Sequence, residues 1–158
     1  MPEDDDDREK RLGSSGVFKI IADAATKVKR ALSEGDSEVK QIGTKVAQAF
    51  IAGRFADVYA MTTSGFQKQH ERARFISQWS DAVRERGSLT GFQVTNAGSI
   101  DVEYIPGLEE VPQADFEAMV QITFSTPKVP LEDDKAFTVA VVLLDDNGAT
   151  RIGAIHTS

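Results

Sequence analysis

The sequence predicts an α+β domain in which N-terminal helices pack on a curved antiparallel sheet of about four strands. Apolar residues recur at helical spacing up to about residue 88 and alternate or run continuously after it. The pair Asn147-Gly148 separates the last two apolar runs and is typical of a two-residue hairpin turn. With 158 residues, 41% of them hydrophobic, one chain can bury a single core.

The domain is expected to span residues 16–158. Residues 1–15 are predicted to form a disordered acidic tail and linker, because the acidic run at 3–7 repels itself and buries nothing. Residues 16–36 are predicted to add an extra helix, with its apolar side expected to pack on the core rather than on a membrane or a partner. That side consists of Val17, Ile21, Ala24, Val28 and Leu32.

Three further helices are predicted. The first begins near Ser37 and ends at Gly53, where a left-handed residue costs no side-chain clash. A short helix follows over Phe55–Met61, and residues 62–65 are expected to break it. The third helix is predicted to end at Gly87. The aromatic residues expected to build the core are Phe50, Phe55, Phe75 and Trp79.

Four strands are predicted after the helices. The first spans roughly residues 89–105, with a bulge or a turn near 96–98. The second, at 116–124, alternates apolar and polar residues, whereas the third, at 136–145, is nearly continuously apolar, as expected when both faces are covered. The fourth spans residues 149–157.

The hairpin register determines which face of the sheet His156 occupies. With a two-residue turn, Asp146 pairs with Ala149 and Val139 is opposite His156, on the face toward the helices. The other face is predicted to carry Ala140, Val142, Leu144, Gly153 and Ile155. Because so apolar a face is unsuited to water, a homodimer through it is predicted, with the helix at 17–32 as the alternative cover.

Composition excludes several classes of protein. The formal net charge of −7 disfavours binding to nucleic acid. No stretch of about 20 apolar residues is present to span a membrane, and the acidic N-terminus does not resemble a secretory signal, so a cytoplasmic location is predicted. With no cysteine and no spaced His or phosphate-loop motif, neither a metal nor a cofactor is expected.

The stretch from Ala47 to Met61 (AQAFIAGRFADVYAM), together with the hairpin at 146–148 and the ending at 151–155, resembles the nuclear transport factor two-like superfamily. The likeness covers about residues 38–157 and is closest to bacterial members of unknown function. This resemblance implies a cone-shaped, cystatin-like fold with a pocket at its open end. Val46 stands where the isomerases of that superfamily carry a tyrosine, and His70 near their carboxylate, so isomerase chemistry is disfavoured.

Three residues are candidates for lining the pocket, namely Tyr59, Trp79 and His156. The first hypothesis is a non-catalytic domain that binds a small apolar molecule or a peptide. One alternative is a lyase, isomerase or hydrolase with His156 as base, which would need Tyr59 or Asp101 as a second polar group. The other alternative is a structural interaction module with a cone filled by its own side chains.

Overall fold

The computed structural model describes residues 36–98 and 100–157, and the predicted acidic tail and the predicted helix at 17–32 lie outside that part. The described helices are α1 (Asp36–Ala52), α2 (Phe55–Ala60), α3 (Ser64–Gln69) and α4 (Arg72–Arg86). The strands are β1 (Gly91–Gly98), β2 (Phe116–Ser125), β3 (Phe137–Asp146) and β4 (Ala149–Thr157). All neighbouring strands are antiparallel, in the order β1-β2-β3-β4. The predicted fold class is confirmed.

Helix α1 packs across β1 and β2 through a closely fitting glycine. A Cβ atom at Gly43 would lie 2.7 Å from a methyl group of Val94 and 2.8 Å from one of Val120, so only glycine allows this approach without movement. The helix ends where the sequence predicted, because Gly53 adopts a φ of 73°. The chain then turns directly into α2.

Helix α3 was not predicted, since residues 62–65 were expected to form only a break. Thr63 is instead the N-cap of α3, and its hydroxyl accepts a hydrogen bond of 3.0 Å from the Phe66 amide. Asp146, at the end of β3, also accepts a bond of 3.0 Å from the Ser64 amide. These bonds fix the start of α3. Phe66, on this helix, is buried.

Strand β1 is shorter than predicted. The pairing with β2 shifts between Asn96 and Gly98, which confirms the predicted bulge. Gly98 has a φ of 95°, and the chain then leaves the sheet for a 3₁₀ turn at Val102–Tyr104. The prediction of a strand continuing to residue 105 is therefore wrong.

The segment after β1 covers the face of the sheet opposite the helices. Ile105 is fully buried there, in a cluster with Ala140 and Val142. Gln113 fixes the segment, because its side-chain oxygen accepts from the Val102 amide at 2.8 Å and its nitrogen donates to the Ile100 carbonyl at 3.1 Å. The predicted homodimer rested on the expectation that this apolar face is uncovered. That expectation is therefore wrong.

The main core lies between the helices and the sheet, with Phe50 near its centre. The Phe50 ring centroid is 5.1 Å from that of Phe55, 5.3 Å from Trp79 and 5.6 Å from Phe124. Phe50, Phe55 and Phe75 are buried as predicted, whereas Trp79 is only partly buried against this core. Trp79 therefore belongs to the rim of the core and not to its centre.

A bulge in β4 shifts the hairpin register by one residue. The turn at Asn147-Gly148 pairs Asp146 with Ala149, as predicted. The register then shifts at Gly153, so His156 is opposite Ala140 instead of Val139. Ala140 belongs to the cluster under the covering segment, so the prediction that His156 faces the helices is wrong. Ile155, predicted to face outward, packs in the helix-side core.

Phe50→Ala should lower the free energy of unfolding by about 3–5 kcal/mol, because the deleted ring leaves a cavity among three aromatic neighbours. Urea denaturation measures the change. The adjacent Ile51, which is 40% exposed, is the control, and Ile51→Ala should cost less than about 1 kcal/mol. Equal losses for the two variants would contradict the central position of Phe50.

Gly153→Ala should destabilise the domain by about 1–3 kcal/mol, because the added methyl group would overlap the Leu144 side chain. Shortening that side chain with Leu144→Ala removes the overlapping atoms. In a double-mutant cycle, Gly153→Ala should therefore cost less in the Leu144→Ala background than in the natural one. Strict additivity would show that the bulge does not depend on this contact.

Candidate functional site

A cavity of about 610 Å³ lies where α3 and α4 pass the edge of β4. Its helical wall consists mainly of Phe66, Phe75 and Trp79, with Ala82 one turn further along α4. Pro106 and Gly107, from the segment that covers the opposite sheet face, complete the lining. The volume is in the usual range for small-molecule sites, about 300–1,000 Å³.

The sheet contributes an unbroken run of five residues, Gly153–Thr157, to the lining. Successive side chains of a strand point to opposite faces, so a run of five places the edge of β4 itself in the cavity wall. Directly before this run, the chain itself bonds to the edge of β4. Ile152 donates to the Met61 carbonyl and accepts from the Thr63 amide, both at 2.8 Å.

Tyr59 packs against the aromatic wall of the cavity without lining it. Its ring centroid is 5.3 Å from Phe75 and 6.5 Å from Phe66. Its hydroxyl donates to the His70 carbonyl at 2.6 Å and lies 3.3 Å from the Gln67 carbonyl. Tyr59, a pocket candidate from the sequence, is not among the residues that line this cavity. Its role is to fix the end of α3.

His70 is an exposed lining residue that the sequence analysis did not include among the pocket candidates. Its ring is exposed and stacks on Phe66 with centroids 4.1 Å apart, which covers that aromatic side chain at the cavity rim. The surrounding polar run gave no indication of this position. The only available signal was the spacing of four residues from Phe66, which becomes informative once α3 is known to be a helix.

His156, a pocket candidate from the sequence, is among the residues that line the cavity, although it lies on the sheet face opposite to the one expected. Its Nε2 atom is enclosed and has no hydrogen-bond partner among the described residues. Burial lowers the pKa of His156 from the ordinary value of 6.5, and charge repulsion from His70 lowers the pKa further. The imidazole is therefore neutral at pH 7.

Charged side chains are missing from the described lining, which carries no Asp, Glu, Lys or Arg. Its polar side chains are those of Gln69, Gln78, Thr157 and the two histidines. Asp101, considered as a second catalytic group, is exposed and outside the lining. Across residues 36–98 and 100–157, no three His, Asp or Glu side chains cluster closely enough to hold a metal ion. The arrangement suits an uncharged, largely apolar ligand.

No protein-family model, curated protein or solved structure matches this chain. None of the helices at residues 36–98 and 100–157 has the length and apolar character to cross a bilayer.

Lowering the pH from about 7.5 to about 5.5 should reduce the free energy of unfolding through His156. Its pKa is lower in the folded state, so the unfolded state binds more protons as the pH falls through 6.5. This loss continues down to the folded-state pKa. His156→Gln should flatten the dependence, as measured by urea denaturation at both pH values.

The matched control is His70→Gln. Because burial is the larger cause of the lowered pKa of His156, this variant should keep most of the pH dependence. Identical pH dependence in the natural chain and in His156→Gln would contradict the assignment.

Proposed function

We propose that this domain is a non-catalytic binding module whose cavity takes a small apolar molecule or an apolar part of a peptide. The observation that carries the proposal is the cavity of about 610 Å³ with aromatic walls and no charged side chain in its described lining. Burying an apolar group there gains roughly 25 cal/mol for each Å² removed from water, without the cost of desolvating a charge.

The catalytic alternative has less support. A general base must reach the proton that it removes, and the His156 Nε2 atom is enclosed. Neither candidate for a second polar group is available, because the Tyr59 hydroxyl bonds to main-chain carbonyls and Asp101 is outside the lining. A filled structural module is also disfavoured, since such a module would leave no cavity of this size.

We also propose that the domain is a member of the nuclear transport factor two-like superfamily. The support is the stretch Ala47–Met61, which forms a helix, a glycine break and a short second helix, followed by an antiparallel sheet. A homodimer through the outer sheet face is not part of this proposal, because the chain itself buries Val142 completely.

The binding test uses Trp79, which is the sole tryptophan of the chain and lines the cavity. The probe is N-phenyl-1-naphthylamine, an uncharged dye that fluoresces in apolar surroundings and accepts energy from tryptophan. The dye should quench Trp79 emission in a saturable titration. Ala82→Phe should weaken binding at least about tenfold, or about 1.4 kcal/mol, by filling the cavity.

Ala73→Phe is the control, because Ala73 is exposed on the same helix and outside the lining. This variant should bind the dye as the natural protein does. Absence of energy transfer from Trp79, or equal weakening in both variants, would refute binding in this cavity.

A further inference from the structure

The edge of β4 inside the cavity carries main-chain hydrogen-bonding groups that have no partner among the described residues. In an antiparallel ladder, a residue either exchanges both main-chain bonds with the opposite residue or directs both groups away. Ile152 directs both groups away from β3, toward Met61 and Thr63. Its opposite residue on β3 is Leu143.

The same alternation identifies the next outward-facing positions. On β3, the main-chain N–H and C=O of Leu143 point toward β2. Those of the next residue, Val142, therefore point toward β4, and those of Val141 point toward β2 again. Ile155, opposite Val141, therefore directs its N–H and C=O away from the sheet, at the edge that lines the cavity. No described group bonds to the Ile155 main chain on that side.

The chain already shows how this edge accepts a partner. Thr62 forms an isolated parallel bridge with Ile152, through which Met61 and Thr63 occupy the outward groups of β4. The chain then turns into α3, whose N-cap is Thr63, and no described residue takes the place of Met61 and Thr63 beside Ile155. An incoming strand would continue the same ladder from the point where the chain departs.

We propose that the cavity binds an extended peptide segment that adds to the edge of β4 through the Ile155 N–H and C=O. One apolar side chain of the peptide lies against Phe66, Phe75 and Trp79. Main-chain bonds to a sheet edge supply affinity in such complexes, and side-chain pockets supply specificity. The inference rests on the proposed binding function and specifies its ligand class.

A peptide suits the site better than a second copy of the chain. The free edge is flanked by α3 and α4 on one side and by Pro106-Gly107 on the other. Two copies would have to bring two such flanked edges together, whereas an extended peptide needs to enter only one. The described lining carries no charge, which favours neutral residues in the peptide.

The test uses acetylated and amidated heptapeptides in which threonine alternates with valine, leucine or phenylalanine, and it measures displacement of N-phenyl-1-naphthylamine. The best peptide is then made in two forms, N-methylated at one or the other alternate set of amides. Only one set faces β4, so one form should bind at least about tenfold more weakly and the other should keep its affinity.

Nuclear magnetic resonance of isotope-labelled protein and peptide provides the direct readout. A scalar coupling through the hydrogen bond should link the Ile155 amide nitrogen to a peptide carbonyl carbon. Ile155→Pro should abolish binding by removing the donor, since proline is tolerated on edge strands, whereas Ile155→Val should retain it. If Ile155→Pro does not fold, the two methylated peptides and the coupling still decide the question.

Each contrary outcome has a separate meaning. If the dye binds and no peptide displaces it, or if both methylated forms bind like the parent without the coupling, the peptide proposal fails and the binding function stands. If the dye itself does not bind, the proposed function fails as well. The Ile155 amide could instead become hydrogen-bonded when the protein concentration is raised without peptide. That result would show that a second copy of the chain pairs with the edge of β4, and it would contradict the proposal.

Discussion

The glycine bulge in β4 is the constraint on which the rest of the site depends. Gly153 is an extra residue of β4 that has no paired residue on β3. As a result, Ile155 lies in the helix-side core and His156 lies on the opposite face of the sheet. The same residue fits against Leu144, where a side chain would collide. Bulges bend and twist a strand. This one occurs where the edge of β4 is released from Met61–Thr63 and enters the cavity wall.

Because both faces of the sheet are covered, the cavity lies at the edge of the sheet. The helices bury one face around Phe50, and the segment between β1 and β2 buries the other around Ile105. Strand β3 is consequently buried over its first eight residues. The cavity forms where these two covers meet beside β4, and so the site combines an apolar wall from the helices with main-chain groups from the strand.

The proposed binding function takes account of how the polar groups of the cavity are placed. A neutral His156 with an enclosed Nε2 atom and an exposed His70 stacked on Phe66 do not form a hydrogen-bonded pair of acid and base. The Tyr59 hydroxyl, which could have served as a donor, is used to hold the end of α3. The polar groups of the described lining include the strand edge and the amide side chains of Gln69 and Gln78.

The sequence by itself determined that helices precede a four-stranded antiparallel sheet, that a helix ends at Gly53, and that a hairpin turns at Asn147-Gly148. These features follow from spacing and backbone conformation within a few residues, so near neighbours specify them. Only the tertiary structure decided the cover of the outer sheet face, the bulge at Gly153, and the positions of His70 and Trp79 on the cavity rim. Those features depend on contacts between residues far apart in the chain, such as Gly153 with Leu144 across the hairpin and Ile105 with Val142 across the sheet, and local patterning carries no information about which of these contacts form.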